Sequence, residues 1–129
     1  MIADRETCHG AGSVADARAA AVLSGNSHLL PSAGVALDLA CGFGGNAVLL
    51  ARRGLETHAW DSSATAIASL AQWAREHALP IHAAVRDVVA QPPAPASFDV
   101  IVVSRFLDRR LAPSLAMALR PGVLLLYQT

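Results

Sequence analysis

The stretch Val35-Ala36-Leu37-Asp38-Leu39-Ala40-Cys41-Gly42-Phe43-Gly44-Gly45-Asn46 joins an apolar run, one carboxylate and a Gly-rich turn. Glycine allows a tight turn and lets a ligand approach backbone amides with no Cβ in the way. The glycines alone fit a plain turn, and Gly42-x-Gly44-x-x-Ala47 also fits the dinucleotide pattern G-x-G-x-x-G/A. Asp38 favours a third reading. A carboxylate at the end of a buried strand is costly without a partner. It repels a pyrophosphate and attracts an ammonium or sulfonium group. The stretch therefore points to S-adenosylmethionine over NAD.

Further carboxylates follow at intervals. Asp61 lies at the end of a second apolar run, where it can accept hydrogen bonds from ribose hydroxyls. Asp61-Ser62-Ser63 is equally good chemistry for capping the next helix, and both roles can hold at once. Asp87, in Val85-Arg86-Asp87-Val88, can accept an exocyclic adenine amine, with Ala83 to Val89 as apolar walls. The plainer alternative is a turn-forming aspartate paired with Arg86. Ser104, Arg105 and Phe106 follow the fourth apolar run, where a reacting group would meet a cofactor. Asp108, Arg109 and Arg110 could bind an anionic substrate, but the favoured reading is a solvated helix start. His9, His28, His58, His77 and His82 do not cluster in sequence, and each reads as surface or structural, with no metal site implied. Cys41 reads as a small buried thiol, not a nucleophile.

These residues need elements to position them. Short apolar runs at Val35–Leu39, Glu56–Trp60, Ile81–Val85, Phe98–Val103 and Val123–Tyr127 read as strands. Helical spacing covers Val14–Leu23, Asn46–Arg53, Ala64–His77 and Pro113–Leu119. Asp87 to Ser97 is proline-rich and reads as a loop. Strands alternating with helices imply right-handed βαβ units, a parallel sheet covered on both faces, and a ligand at the C-terminal strand ends. The expected fold is α/β, a Rossmann-like doubly wound parallel sheet. Residues 1–34 form a tail and a helix packing on the core, and residues 35–129 form the core itself.

The chain has 129 residues, 53% of them hydrophobic and 16% charged, which suits one domain and excludes a disordered protein. Ten basic residues, all Arg, balance ten acidic ones, so nothing marks a general nucleic-acid or anionic-membrane binder. Two separated cysteines, Cys8 and Cys41, fit the reducing cytosol. No apolar run reaches the ~18 residues of a membrane span, and the N-terminus lacks signal-peptide character.

The segments Asp38-Leu39-Ala40-Cys41-Gly42-Phe43-Gly44, Trp60-Asp61, Arg86-Asp87, Phe98-Asp99-Val100-Ile101 and Leu119-Arg120-Pro121-Gly122 occur in that order. Together they resemble the motifs of class I S-adenosylmethionine-dependent methyltransferases, with the flavour of the small bacterial type grouped with tellurite-resistance proteins. The resemblance implies strand order 3-2-1-4-5 and a cofactor site drawn from Asp38, Ala40, Cys41, Gly42, Gly44, Asp61, Ser62, Asp87, Val88 and Ser104. Asp38 and the glycine loop would hold the methionine end, Asp61 the ribose and Asp87 the adenine amine. The implied reaction is direct methyl displacement onto a small-molecule acceptor, with no nucleic-acid or membrane partner. A non-catalytic cofactor-binding fragment is the second reading, and an NAD-dependent oxidoreductase the third. Two features depart from the family. Ala40 stands where glycine is frequent, and the C-terminal antiparallel hairpin is missing. A core cut short after strand five would leave a hydrophobic edge, which a second copy or the N-terminal segment is expected to cover.

Overall fold

Apolar β-branched runs set the sheet, and the turns between them set its order. The computed structural model describes residues 23, 25, 27–39, 41, 43–87, 90–104 and 112–127. Of the expected first helix only Leu23 is among them, fully buried. After a single 3-10 turn at Ser27–Leu29 come β1 (Val35–Leu39), α1 (Gly45–Arg52), β2 (Glu56–Asp61) and α2 (Ala64–Glu76). Then follow β3 (Ile81–Val85), β4 (Phe98–Ser104), α3 (Ala112–Ala118) and β5 (Leu119–Tyr127). All strand pairs are parallel, in the order β3-β2-β1-β4-β5, as the sequence implies. No helix among the described residues is long and apolar enough to cross a membrane.

β1 and β4 are buried on both faces, which explains why they read as nearly continuous apolar runs. Leu37, Leu39, Trp60, Phe98, Ile101 and Val103 pack on one face with Leu115 and Ala118 of α3. On the other, Ala59 packs with Ala47 of α1 and with Ala66, Ile67 and Leu70 of α2. Ala36, Val100 and Val102 join Leu23, Leu30, Leu50 and Leu55 there. In α2, Ile67, Leu70 and Ala74 recur at helical spacing and are buried. Ser63 caps this helix, its hydroxyl accepting from the Ala66 amide at 3.2 Å.

Two sequence expectations change. The strand after α3 starts at Leu119, directly against the helix, and not at Val123. Arg120-Pro121-Gly122 is a bulge within β5, opposite Asp99 between the Phe98↔Leu119 and Val100↔Val123 partners, and not a separate turn. Gly122 is required there because a Cβ would collide with the Asp99 carbonyl oxygen. The proline-rich connection from β3 to β4 carries no helix among its described residues. Among the described residues no helix covers the part of the α3-side face formed by β2 and β3, where His82 is exposed and His58 half-buried.

Candidate functional site

The carboxylates singled out in sequence collect along one edge of the sheet. Asp38 is the fourth residue of β1 and pairs in register with Ala59 of β2, while Asp61 closes β2 opposite Val85 of β3. Asp87 lies two residues beyond the end of β3. Neighbouring parallel strands are about 4.8 Å apart. Asp38, Asp61 and Asp87 thus step across β1, β2 and β3 towards the loops at their C-terminal ends. That is the end at which open α/β sheets hold ligands.

Their environments differ. Asp38 is fully buried and Asp61 nearly so, at 0% and 2% exposure, whereas Asp87 is exposed. Asp61 Oδ1 accepts from the Ser63 amide at 2.8 Å, a local turn that leads into Ser63, which is the cap of α2. The Asp61 carbonyl accepts from the Arg86 amide at 2.9 Å, tying the ends of β2 and β3 together. Asp87 Oδ1 accepts from the Ala90 amide at 3.3 Å, and the Asp87 carbonyl accepts from the Gln91 amide at 2.8 Å. Asp87 does form a turn, as its plainer reading expects. Arg86, by contrast, stacks its guanidinium 3.9 Å from the Trp60 ring centroid and donates from Nε to the Gln91 carbonyl.

The loop after β1 is built for close approach. The Cys41 amide donates to the Trp60 carbonyl at 3.0 Å, and the Cys41 carbonyl accepts from the Gly44 amide at 2.9 Å. Gly44 precedes α1 with φ of 89°, the left-handed region that disfavours a side chain. A Cβ on it would lie 2.5 Å from Leu70 Cδ1, so α2 packs directly against bare backbone. Asn46, in the first turn of α1, is a buried polar side chain that the sequence reading treated only as a helix start. Ser62 is exposed beside Asp61, and Ser104 ends β4 at the same edge. Ala40, Gly42 and Val88 lie outside the described residues, as do Arg105, Phe106, Asp108, Arg109 and Arg110.

The donor chemistry at this edge fits S-adenosylmethionine. Carboxylates suit ribose hydroxyls, an adenine amine and a cationic methionine end, and the loop brings backbone within reach. A depression at the opposite end, lined by Leu29, Pro31, Ala33, Asp99, Pro121 and Gly122, lacks this set. Its one carboxylate, Asp99, is engaged by the Val35 amide at 2.9 Å and Arg120 Nη1 at 3.0 Å.

A second cluster is invisible to sequence spacing. Parallel register sets His58 directly beside His82, ring centroids 4.9 Å apart, and Glu56 lies on the same face two residues earlier in β2. Glu56 Oε2 is 3.7 Å from His58 Nε2 and 3.6 Å from His82 Nε2. Burial holds the His58 imidazole below its ordinary pKa; the facing His82 adds to this, and Glu56 works in the opposite direction. Two of the five histidines that sequence spacing keeps separate, His58 and His82, therefore meet in the fold.

Residues 36–122 match the methyltransferase domain family, and the chain belongs to that family. Its fold is that of solved S-adenosylmethionine-dependent methyltransferases. Among solved structures, the YcgJ protein of Bacillus subtilis has 21% identity and a TM-score of 0.71, over 81% of this chain and 47% of its own. Coclaurine N-methyltransferase, solved with N-methylheliamine and SAH, has 17% identity and a TM-score of 0.70, over 81% of this chain and 32% of its own. An S-adenosylmethionine-dependent methyltransferase from Mesorhizobium loti has 23% identity and a TM-score of 0.67, over 80% of this chain and 50% of its own. At these identities the likeness is one of fold. The chain spans about half the length, or less, of these structures. A search of curated protein sequences gives no match.

Proposed function

We propose that this chain binds S-adenosylmethionine across the C-terminal ends of β1, β2 and β3 and passes its methyl group to a small-molecule acceptor. The observation that carries this reading is the row of Asp38 in β1, Asp61 at the end of β2 and Asp87 two residues past β3, beside the left-handed Gly44 turn. S-adenosylmethionine, when bound, supplies an activated sulfonium methyl for in-line displacement. The chain's residues bind and orient. Asp61 holds the ribose hydroxyls while its Oδ1 fixes the start of α2. Asp87 takes the adenine amine. The loop at Cys41, Gly42 and Gly44 offers backbone to the methionine end. Asp38, fully buried near the end of β1, stands just before this loop in the chain. The contribution to rate is positioning and exclusion of water, and no protein nucleophile is required. The neutral balance of charge and the absence of a basic stripe in the sequence favour a small acceptor over a nucleic acid.

The test is calorimetric titration with S-adenosylhomocysteine and NAD side by side. Saturable binding of S-adenosylhomocysteine alone is expected, and binding of NAD alone would overturn the reading. Binding without methyl transfer over a broad acceptor panel would instead favour a cofactor-binding unit, which the chain's share of its structural relatives makes worth testing.

A further inference from the structure

We propose that Glu56, His58 and His82 form a site for a divalent first-row transition metal such as Zn2+, on the α3-side sheet face and apart from the cofactor edge. The site is built by strand geometry. Residues two apart on a strand share a face, and register partners on parallel strands are immediate neighbours. Glu56 and His58 therefore point the same way from β2, and His82 of β3 stands beside His58.

The donor set is two imidazoles and one carboxylate, whose ligand atoms all lie within 4.8 Å of one another. Tetrahedral zinc, with bonds of about 2.0–2.2 Å, needs donor separations of roughly 3.3–3.5 Å. Both carboxylate–imidazole separations, 3.7 and 3.6 Å, are already close to that. Only the two rings must draw together, and the His82 and Glu56 side chains, 58% and 55% exposed, are free to turn. His58 is held by the edge of Phe98, centroids 5.7 Å apart, so one donor is positioned before metal arrives. With both rings neutral the cluster carries one negative charge, which favours a cation. Imidazole with carboxylate selects zinc-like ions over magnesium or calcium, which prefer all-oxygen shells. Three protein donors leave a coordination position for water or a further ligand.

The position assigns the metal a scaffold role. His58, the member of the cluster nearest the cofactor edge along β2, stands three residues, roughly 10 Å, before Asp61, and its side chain lies on the opposite sheet face. A bound ion would clamp β2 to β3 where no helix among the described residues covers them.

The experiment is calorimetric titration of Zn2+ into the tag-free, chelator-treated chain, with cobalt absorption as a second readout. One equivalent should bind, Co2+ should give a visible d–d band, and Zn2+ should raise the melting temperature. His82→Ala and Glu56→Gln alter exposed side chains, so both variants should fold; each should weaken binding roughly tenfold or more. Asp61→Asn should leave zinc binding intact, which separates this site from the cofactor site. Absence of saturable binding would overturn the proposal, as would full-strength binding in both the His82→Ala and Glu56→Gln chains.

Discussion

At the residue scale, Asp61 and Gly44 make separable demands. Asp61 Oδ1 accepts from the Ser63 amide, and the same carboxylate is the proposed ribose ligand. Asp61→Asn keeps an oxygen for Ser63 and removes the charge. Its denaturation midpoint should stay near that of the parent chain, while S-adenosylhomocysteine binds about tenfold more weakly by calorimetry, in line with a lost charge-assisted bond of about 1.5 kcal/mol. Asp61→Ala should lose both cofactor affinity and about 1 kcal/mol of stability. Gly44→Ala meets two obstacles, a φ of 89° and Leu70 Cδ1 at 2.5 Å from the new Cβ. A cost of about 1–3 kcal/mol is expected in urea denaturation. Adding Leu70→Ala removes the collision but not the backbone strain, so the two changes should be non-additive. An unchanged midpoint for Gly44→Ala would show that the turn tolerates a side chain. The carboxylates and glycines were legible in sequence because their types are conspicuous beside apolar runs. The Glu56, His58 and His82 cluster was not, because it exists only once β2 and β3 are aligned. The alternation within Glu56–Trp60 held half of that signal, and the missing half was the register.

At the element scale, β1 and β4 were legible because strands buried on both faces leave little but apolar residues to write. Boundaries moved by a residue or so, as at β2, which runs on to Asp61. The start of β5 was misplaced for a physical reason. Arg120-Pro121-Gly122 has the composition of a turn, yet Asp99 makes it a bulge. Asp99 Oδ2 accepts from the Val35 amide and pairs with Arg120 Nη1, while Arg120 Nε and Nη2 reach the Ala96 and Ser97 carbonyls. One side chain thus ties the start of β1 to the start of β5. The Phe98-Asp99 and Arg120-Pro121-Gly122 motifs act here as scaffold, at the opposite end of the strands from the carboxylate row. Asp99→Ala should cost about 1–3 kcal/mol in chemical denaturation, because it leaves the Val35 amide without its acceptor. Arg120→Ala should cost less, about 1 kcal/mol or below, since its side chain is 43% exposed and its loss leaves no buried amide without an acceptor. A larger loss from Arg120→Ala than from Asp99→Ala would show that the ion pair, and not the amide, is the main tie.

At the scale of the whole molecule, the outermost strands of the sheet among the described residues are β3 on one side and β5 on the other. These edges are not alike. β3 has five residues, and prolines at 80, 92 and 93 interrupt the chain around it. β5 has nine residues, and past its bulge it continues as Val123-Leu124-Leu125-Leu126-Tyr127 in register with β4. A long apolar edge strand is a template for further pairing unless something covers it. The inner residues of β5 are committed to β4, so a partner must come along its outer side. A second copy offers the same strand, and an isologous pairing about a two-fold axis would join two sheets into one and close the assembly. The expected outcome is a dimer that forms as concentration rises in sedimentation velocity. The β5 amides should exchange more slowly in the concentrated sample than in the dilute one. Strong protection at every concentration together with a constant monomer mass would mean that the chain's own N-terminal segment lies on β5. Fast exchange in a constant monomer would mean that the edge is tolerated open. Either result would remove the dimer, and the first would give residues 1–34 a role as the edge cover of this fold.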